Sequence, residues 1–428
     1  MLVGKKLLFQ ACDAALSAMS SSGDRIAFFV PGRIEVLGKH TDYAGGRSLL
    51  CAIDRGFAVR VVPRADSRIR VADVARNDVR ELALHPDVAA EQGHWSAYVA
   101  TVAQRIARDF PCARYGADIA FLSDLPAASG MSSSSALVIA AFLALSEANH
   151  LDNDATYRQV ITSREVLGNY LGAVENGRAF GGFAAGAGVG TLGGSQDQTA
   201  ILCCRAGALS QYAFCPVRSE GHIDFPADRA FIVAYSGVAA EKTASAMLRY
   251  NRVSLAAVEI LRCCNEAAGR HDASLGDAVA SAESHDQIRG WIRSSSAAGF
   301  TVQQLMDRFE QFVAEAYDII PNAARALQHG DLVDFGTLVD RSQRGAESLL
   351  GNQVPETMFL ARTARQLGAD AASAFGAGFG GSVWALVAAE VAETFAAQWS
   401  AIYAQQFPEA AKLSEFIVTR PGPPARRL

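Results

Sequence analysis

Apolar and polar positions divide the chain into a strand-rich first part and a helix-rich later part. Near the start, β-branched runs alternate with turn residues: Ile26 to Val30, Leu49 to Val62 around Asp54-Arg55-Gly56, and Arg68 to Ala72. These read as strands. From Trp95 to Phe110 the apolar positions Tyr98, Val99, Val102, Ile106 and Ala107 recur at the helical period, with Arg105 and Arg108 opposite. Ala117 to Leu122 reads as a strand running into Pro126, followed by helices over Ser135 to Asn149 and Thr156 to Val174. Gly181 to Gly194 carries too little side chain to bury and predicts a flexible loop. β-type residues resume at Ala200 to Cys204 and Phe231 to Tyr235, and the polar stretch Arg218 to Asp228 between them is the candidate domain boundary. Helical patterns then dominate from Lys242 to Gln366, Ser382 to Ala388 is a strand, and the Pro/Arg-rich tail Arg420 to Leu428 is expected to fray.

Composition narrows the class. With 428 residues, half of them hydrophobic and 19% charged, the chain suits two medium domains or one large one and excludes disorder as the main state. The net charge of −5 gives no global reason to expect nucleic acid or an anionic membrane. Its longest apolar candidate, Ala136 to Leu145, is too short to span a bilayer. Lys5 and Lys6 precede Leu7, Leu8 and Phe9, but Gln10, Cys12 and Asp13 interrupt any signal-like core, so an amphipathic helix and a cytoplasmic protein are expected. Eight cysteines without a CxxC spacing read as reduced structural thiols.

Three segments carry chemistry. Leu125 to Ala136 is a small-residue loop holding four consecutive serines, and it opens into an apolar helix. Backbone N–H groups at such a helix start favour an anion, and the hydroxyls add donors for phosphate or a ligand for Mg²⁺. Pro31 to Gly46 concentrates Arg33, Glu35, Lys39, His40 and Asp42 at a strand end. His40 and Asp42 suit adjacent hydroxyls of a polyol, and Arg33 suits the charge of a transferring phosphoryl group. Gly193 to Gln198 adds Asp197. Neither a Walker loop nor a dinucleotide fold is present, because His40 stands where a Walker motif needs Ser or Thr, and the GxGxxG match Gly376 to Gly381 leads into a strand.

In order and spacing these segments resemble the galactose, homoserine, mevalonate and phosphomevalonate (GHMP) kinase superfamily. Pro31 to Gly46 resembles the galactokinase signature GRxNLIGEHxDYxxG, the serine loop resembles PxxxGLSSSA, and Gly193 to Gln198 resembles GIMDQ. Gly376 to Gly381 resembles GAGFGG, Trp95 to Val99 resembles WxxYV, and Tyr250-Asn-Arg252 resembles YNxR. The resemblance implies an α/β (α+β) fold of two domains, taken here as 1–217 and 218–428, with the active site in the cleft between them. It implies Asp197 as catalytic aspartate with Arg33 as its partner, and Lys39, His40, Asp42 and Tyr250 at sugar-contacting positions. ATP would lie along Ser129, Gly130, Met131, Ser132, Ser133 and Ser134, with Trp95 nearby, and Mg²⁺ on Ser134 and Glu175. Three positions depart from the family. Glu35 stands for its Asn, Lys39 for the Glu that meets the sugar's far end, and the Gly/Ala stretch lengthens the path from Glu175 to Asp197.

The implied activity is ATP-dependent phosphorylation of a monosaccharide at its anomeric C1 hydroxyl, by a monomer or weak homodimer. Two alternatives are a kinase for an anionic sugar such as galacturonate, whose carboxylate would meet Lys39, and a regulatory relative that binds sugar and ATP without turnover. A kinase for a non-sugar alcohol is disfavoured by the His40–Asp42 pair.

Overall fold

The computed structural model describes residues 2–91, 93–126, 129–239, 244–296 and 299–428. Two sheets organise it. In the first, β1 (Ile26–Leu37), β2 (Arg47–Pro63), β3 (Arg68–Asp73), β4 (Asp78–Ala83) and β5 (Ala117–Ser123) run in the order β1-β2-β5-β3-β4. The hairpin of β6 (Ala208–Ala213) and β7 (Arg218–Asp224) joins through the lower part of β2. The second sheet holds β8 (Arg229–Tyr235), β9 (Ala371–Phe375), β10 (Ser382–Ala388) and β11 (Glu415–Thr419) in the order β11-β8-β10-β9. Finally β12 (Arg426–Arg427) returns to the first sheet and pairs with Phe28 and Phe29 of β1.

Several expectations need correction. β2 runs unbroken through Asp54-Arg55-Gly56. Gly56 is there for close approach rather than a turn, since a Cβ on it would lie 2.3 Å from the Val30 carbonyl. Ala200 to Cys204 belongs mostly to a helix, Gln196–Cys203, and the expected helix from Thr156 to Val174 is two, Ala155–Val160 and Arg164–Asn176, the second capped by the Ser163 hydroxyl. The hairpin keeps 218–224 with the first sheet, and the chain crosses to the second after Asp224, within the candidate boundary Arg218 to Asp228. The tail does not fray: Ala425 is buried and donates to Ile201 O. Lys242 lies outside the described residues, and the helices beyond it include π-helical turns at Ala314–Ile319 and Ala346–Leu350.

The core explains the placement of the site. Helix Ser133–Asn149 is apolar nearly all round, so it is buried on every side against the first sheet, among residues such as Val30, Val59, Ile106 and Leu171. Its serine-rich start is thereby fixed beside the end of β1. A second cluster packs the other sheet under Trp399 and Tyr403, and a third, centred on Phe309 and Phe312, gathers the helices 244–316 around Ala44. Among the described residues no helix is long and apolar enough to cross a membrane.

Candidate active site

Between the sheets a cleft of about 460 Å³ takes side chains from every segment singled out in the sequence. Arg33 and Glu35 alternate along β1, so both reach the same face. The β1–β2 register shifts on either side of them, between Pro31 and Arg33 and between Glu35 and Leu37. Such irregularities re-aim strand side chains.

Arg33 is the hub. Its Nε donates to Asp197 Oδ1 at 2.8 Å, Nη2 lies 2.8 Å from the same oxygen, and Nη1 donates to Gly130 O at 2.5 Å. One guanidinium thus ties the strand, the serine loop and the helix Gln196–Cys203 together. The arginine side chain is 4% exposed and the aspartate 30%, so the carboxylate is the partner that faces the cleft.

The serine loop is not a plain cap. Ser132 occupies the N-cap position in a left-handed conformation, yet its hydroxyl makes no capping hydrogen bond. Its Oγ and that of Ser129 are both buried without a partner. Ser129, Gly130, Ser132, Ser133 and Ser134 line the cleft, whereas Met131 points into the hydrophobic core. Trp95 also lines the cleft and donates from Nε1 to Asp78 Oδ2 at 2.9 Å.

Ser135 was not foreseen. Its Oγ donates to Glu175 Oε2 at 2.8 Å and lies 3.5 Å from Asp197 Oδ2, while Ser134 lines the cleft one residue earlier. Only its membership of the serine run could have signalled it. Gln198 Nε2 donates to the same Glu175 oxygen at 2.6 Å. The expected flexible loop is held down: Val189 N donates to Glu175 O, Ala187 N to Gln104 Oε1 and Leu192 N to Asn251 Oδ1. The long path therefore still leaves Glu175 beside Asp197.

On the other side of Arg33, Asp42 Oδ2 accepts from Gln196 N at 3.0 Å, and burial pushes its carboxyl above the usual range. Gly194 permits this approach, since a Cβ there would lie 2.2 Å from Asp42 Oδ2. His40 lies 2.9 Å by Nδ1 from Tyr43 Oη and 3.0 Å by Nε2 from Ala377 O. A carbonyl can only accept, so Nε2 carries the proton and Nδ1 accepts from the tyrosine. Both ring nitrogens are thus committed within the protein, and burial pushes the imidazole down to about 4. Tyr250 covers the ring at a centroid distance of 5.2 Å.

Lys39 is the clear departure from its expected place. It is buried but does not line the cleft, and Nζ donates to Ser342 Oγ at 2.9 Å. Gly38 and His40 on either side both have positive φ, which turns the lysine away from its neighbours' side of the loop. Glu35, the neighbouring departure, does line the cleft, and its Oε2 accepts from Gln196 Nε2 at 2.7 Å. Burial pushes it up to about 7, with Arg33 and Lys39 pulling the other way.

Residues 18–63 match the galactokinase galactose-binding signature, 97–179 the GHMP kinases N-terminal domain and 323–405 the GHMP kinases C-terminal domain. The chain is 30% identical over 371 residues to the galactokinase of Chloroflexus aurantiacus, covering 86% of this chain and 85% of that one. It is 28% identical over 368 residues to the galactokinase of Roseiflexus sp., covering 85% and 84%. Among solved structures, Lactococcus lactis galactokinase complexed with galactose shares the fold with a TM-score of 0.79 at 22% identity, over 99% of this chain and 100% of that one. L. major mevalonate kinase shares it more distantly, with a TM-score of 0.55 at 16% identity over 94% and 98%. A relative at 30% identity over 86% of the chain, joined to the signature and the paired domains, places the chain in the galactokinase family, sugar kinases of the GHMP fold.

Proposed function

We propose that this protein transfers the γ-phosphoryl group of ATP to the anomeric C1 hydroxyl of galactose. The Arg33–Asp197 pair carries the reading: it stands between the serine loop, with its unpaired hydroxyls, and the polar wall of His40, Asp42 and Tyr250. In phosphoryl transfer the protein mainly positions reactants and neutralises charge. Asp197 would orient the sugar hydroxyl and take its proton as the oxygen attacks phosphorus, while Arg33 holds the carboxylate in place and offsets charge on the phosphoryl oxygens. Ser129 and Ser132 would turn their free hydroxyls to the phosphates at the helix start. His40 would act by position, holding the signature loop against Ala377.

The donor set fits Mg²⁺. Glu175 supplies a buried carboxylate, and Ser134 and Ser135 supply neighbouring hydroxyls, the hard oxygens this ion takes. Among the described residues no group of three or more His, Cys, Asp or Glu could hold a metal by itself. Phosphate oxygens and water would complete the shell, and the bound ion would neutralise phosphate charge. We place the reaction in the cytoplasm, where ATP is supplied, and assign it to a monomer or weak homodimer.

The test is turnover by purified protein with MgATP and galactose, glucose or galacturonate, with the product identified by ³¹P NMR. Galactose 1-phosphate is the expected product. Preferred turnover of galacturonate would overturn the assignment of a neutral sugar, and no turnover of any of the three would overturn sugar phosphorylation itself.

A further inference from the structure

Glu35 Oε1 is a buried carboxylate oxygen with no hydrogen-bond partner, on a side chain that is 4% exposed and lines the cleft. A buried polar atom left unpaired is costly, so an oxygen of this kind calls for a partner. The rest of the residue is held firmly. Oε2 takes the Gln196 amide, Gln196 Oε1 takes the Ser48 hydroxyl, and Gln196 N donates to Asp42 Oδ2. Glu35 and Asp42 are therefore fixed by one glutamine. The nearest cations are spoken for: Arg33 is spent on Asp197 and Gly130 O, and the Lys39 ammonium on Ser342.

On the reading of the site as a galactose kinase, we propose that Glu35 is a specificity residue whose Oε1 hydrogen-bonds one non-reacting hydroxyl of the sugar. A neutral polyol brings a donor to that oxygen. A hydroxyl can donate to that oxygen or accept from it when protonated, whereas a sugar carboxylate can only accept, so a neutral polyol suits the residue in both its protonation states and a uronic acid does not. Lys39, turned into the protein, does not offset that selection with a cation in the cleft.

Single-hydroxyl coupling tests this. Wild type and Glu35→Ala are assayed with galactose and with its 2-, 3-, 4- and 6-deoxy analogues. A site that pairs a buried group with a substrate hydroxyl rejects the analogue lacking it, so wild type should lose at least about tenfold in kcat/KM on one analogue. In Glu35→Ala that one penalty should shrink to within about threefold while the others stay. If Glu35→Ala fails to fold, Glu35→Gln, which keeps the shape, should shrink the same penalty by at least about threefold. Loss of activity that falls equally on galactose and every analogue, with all penalties unchanged, would assign Glu35 to support of Gln196 and overturn the inference. Wild type that leaves galactose unphosphorylated overturns the reading beneath, and the inference with it.

Discussion

Lys39 donates from Nζ to Ser342 Oγ across 303 residues of sequence, and Ser342 Oγ in turn donates to Glu315 Oε1 at 2.9 Å. Glu315 Oε1 also accepts from Gly38 N at 2.9 Å, and Gln311 Nε2 donates to Lys39 O at 3.1 Å. The lysine is therefore a tether between the signature loop and the later helices. Lys39→Met removes the buried hydrogen bond to Ser342 and should cost on the order of 1–3 kcal/mol in urea unfolding. The galactose to galacturonate ratio of kcat/KM should move less than about threefold, since Lys39 does not line the cleft. A reversal of that ratio would put Lys39 back in the substrate site.

Asp197→Asn leaves an oxygen to accept from Arg33 but removes the carboxylate proposed as the base. Its kcat should fall roughly 10²-fold or more while KM for galactose stays within about threefold, the signature of an interaction made in the transition state. Full activity in this variant would remove the aspartate from the chemistry.

Metal dependence should track Glu175. EDTA should abolish turnover, and Glu175→Gln should raise the Mg²⁺ needed for half-maximal rate by at least about tenfold, since a hard cation loses its charged ligand. Ser134→Ala and Ser135→Ala, titrated in parallel, separate the two hydroxyls. An unchanged Mg²⁺ dependence in both would reduce the serine run to a helix start.

Two buried groups set opposite pH limbs of stability. His40 holds its proton off until about 4, whereas the unfolded chain takes one near 6.5, so its contribution is present above 6.5 and is lost as pH falls toward 4. At about 1.4 kcal/mol per pH unit, the loss is of order 3 kcal/mol at most. Glu35 stays protonated up to about 7 while the unfolded chain ionises near 4.5, so its contribution falls as pH rises through that window. Urea melts from pH 4 to 8 on His40→Gln and Glu35→Gln should each flatten one limb. A variant that flattens the other limb contradicts the assignment.

The chemistry was legible because it sits in contiguous runs. The signature and the serine loop stand out by themselves, whereas Asp197, a lone loop aspartate, is singled out only through the family resemblance, and helix Ser133–Asn149 follows from its uniform apolarity. What escaped depends on geometry that periodicity does not encode. Ala200 to Cys204 is a short apolar run, which does not separate strand from helix by pattern. Lys39 and His40 are adjacent in sequence, yet only the positive φ at Gly38 and His40 decides which of them meets the cleft. The tail looked frayed because its partner, β1, lies almost 400 residues earlier.

That return of the tail has a consequence for how the molecule comes apart. Gly422 N donates to Ala52 O at 2.8 Å, and β12 covers the outer side of the strand that carries Arg33. The earlier sheet is thus completed by chain that has already passed through the later one, and the two lobes should melt in a single cooperative transition rather than in sequence. A fragment cut after β11 would leave the backbone of Phe28 and Phe29 as an open sheet edge, a template for strand addition by a neighbouring molecule. Such a fragment should aggregate even with every cleft residue in place.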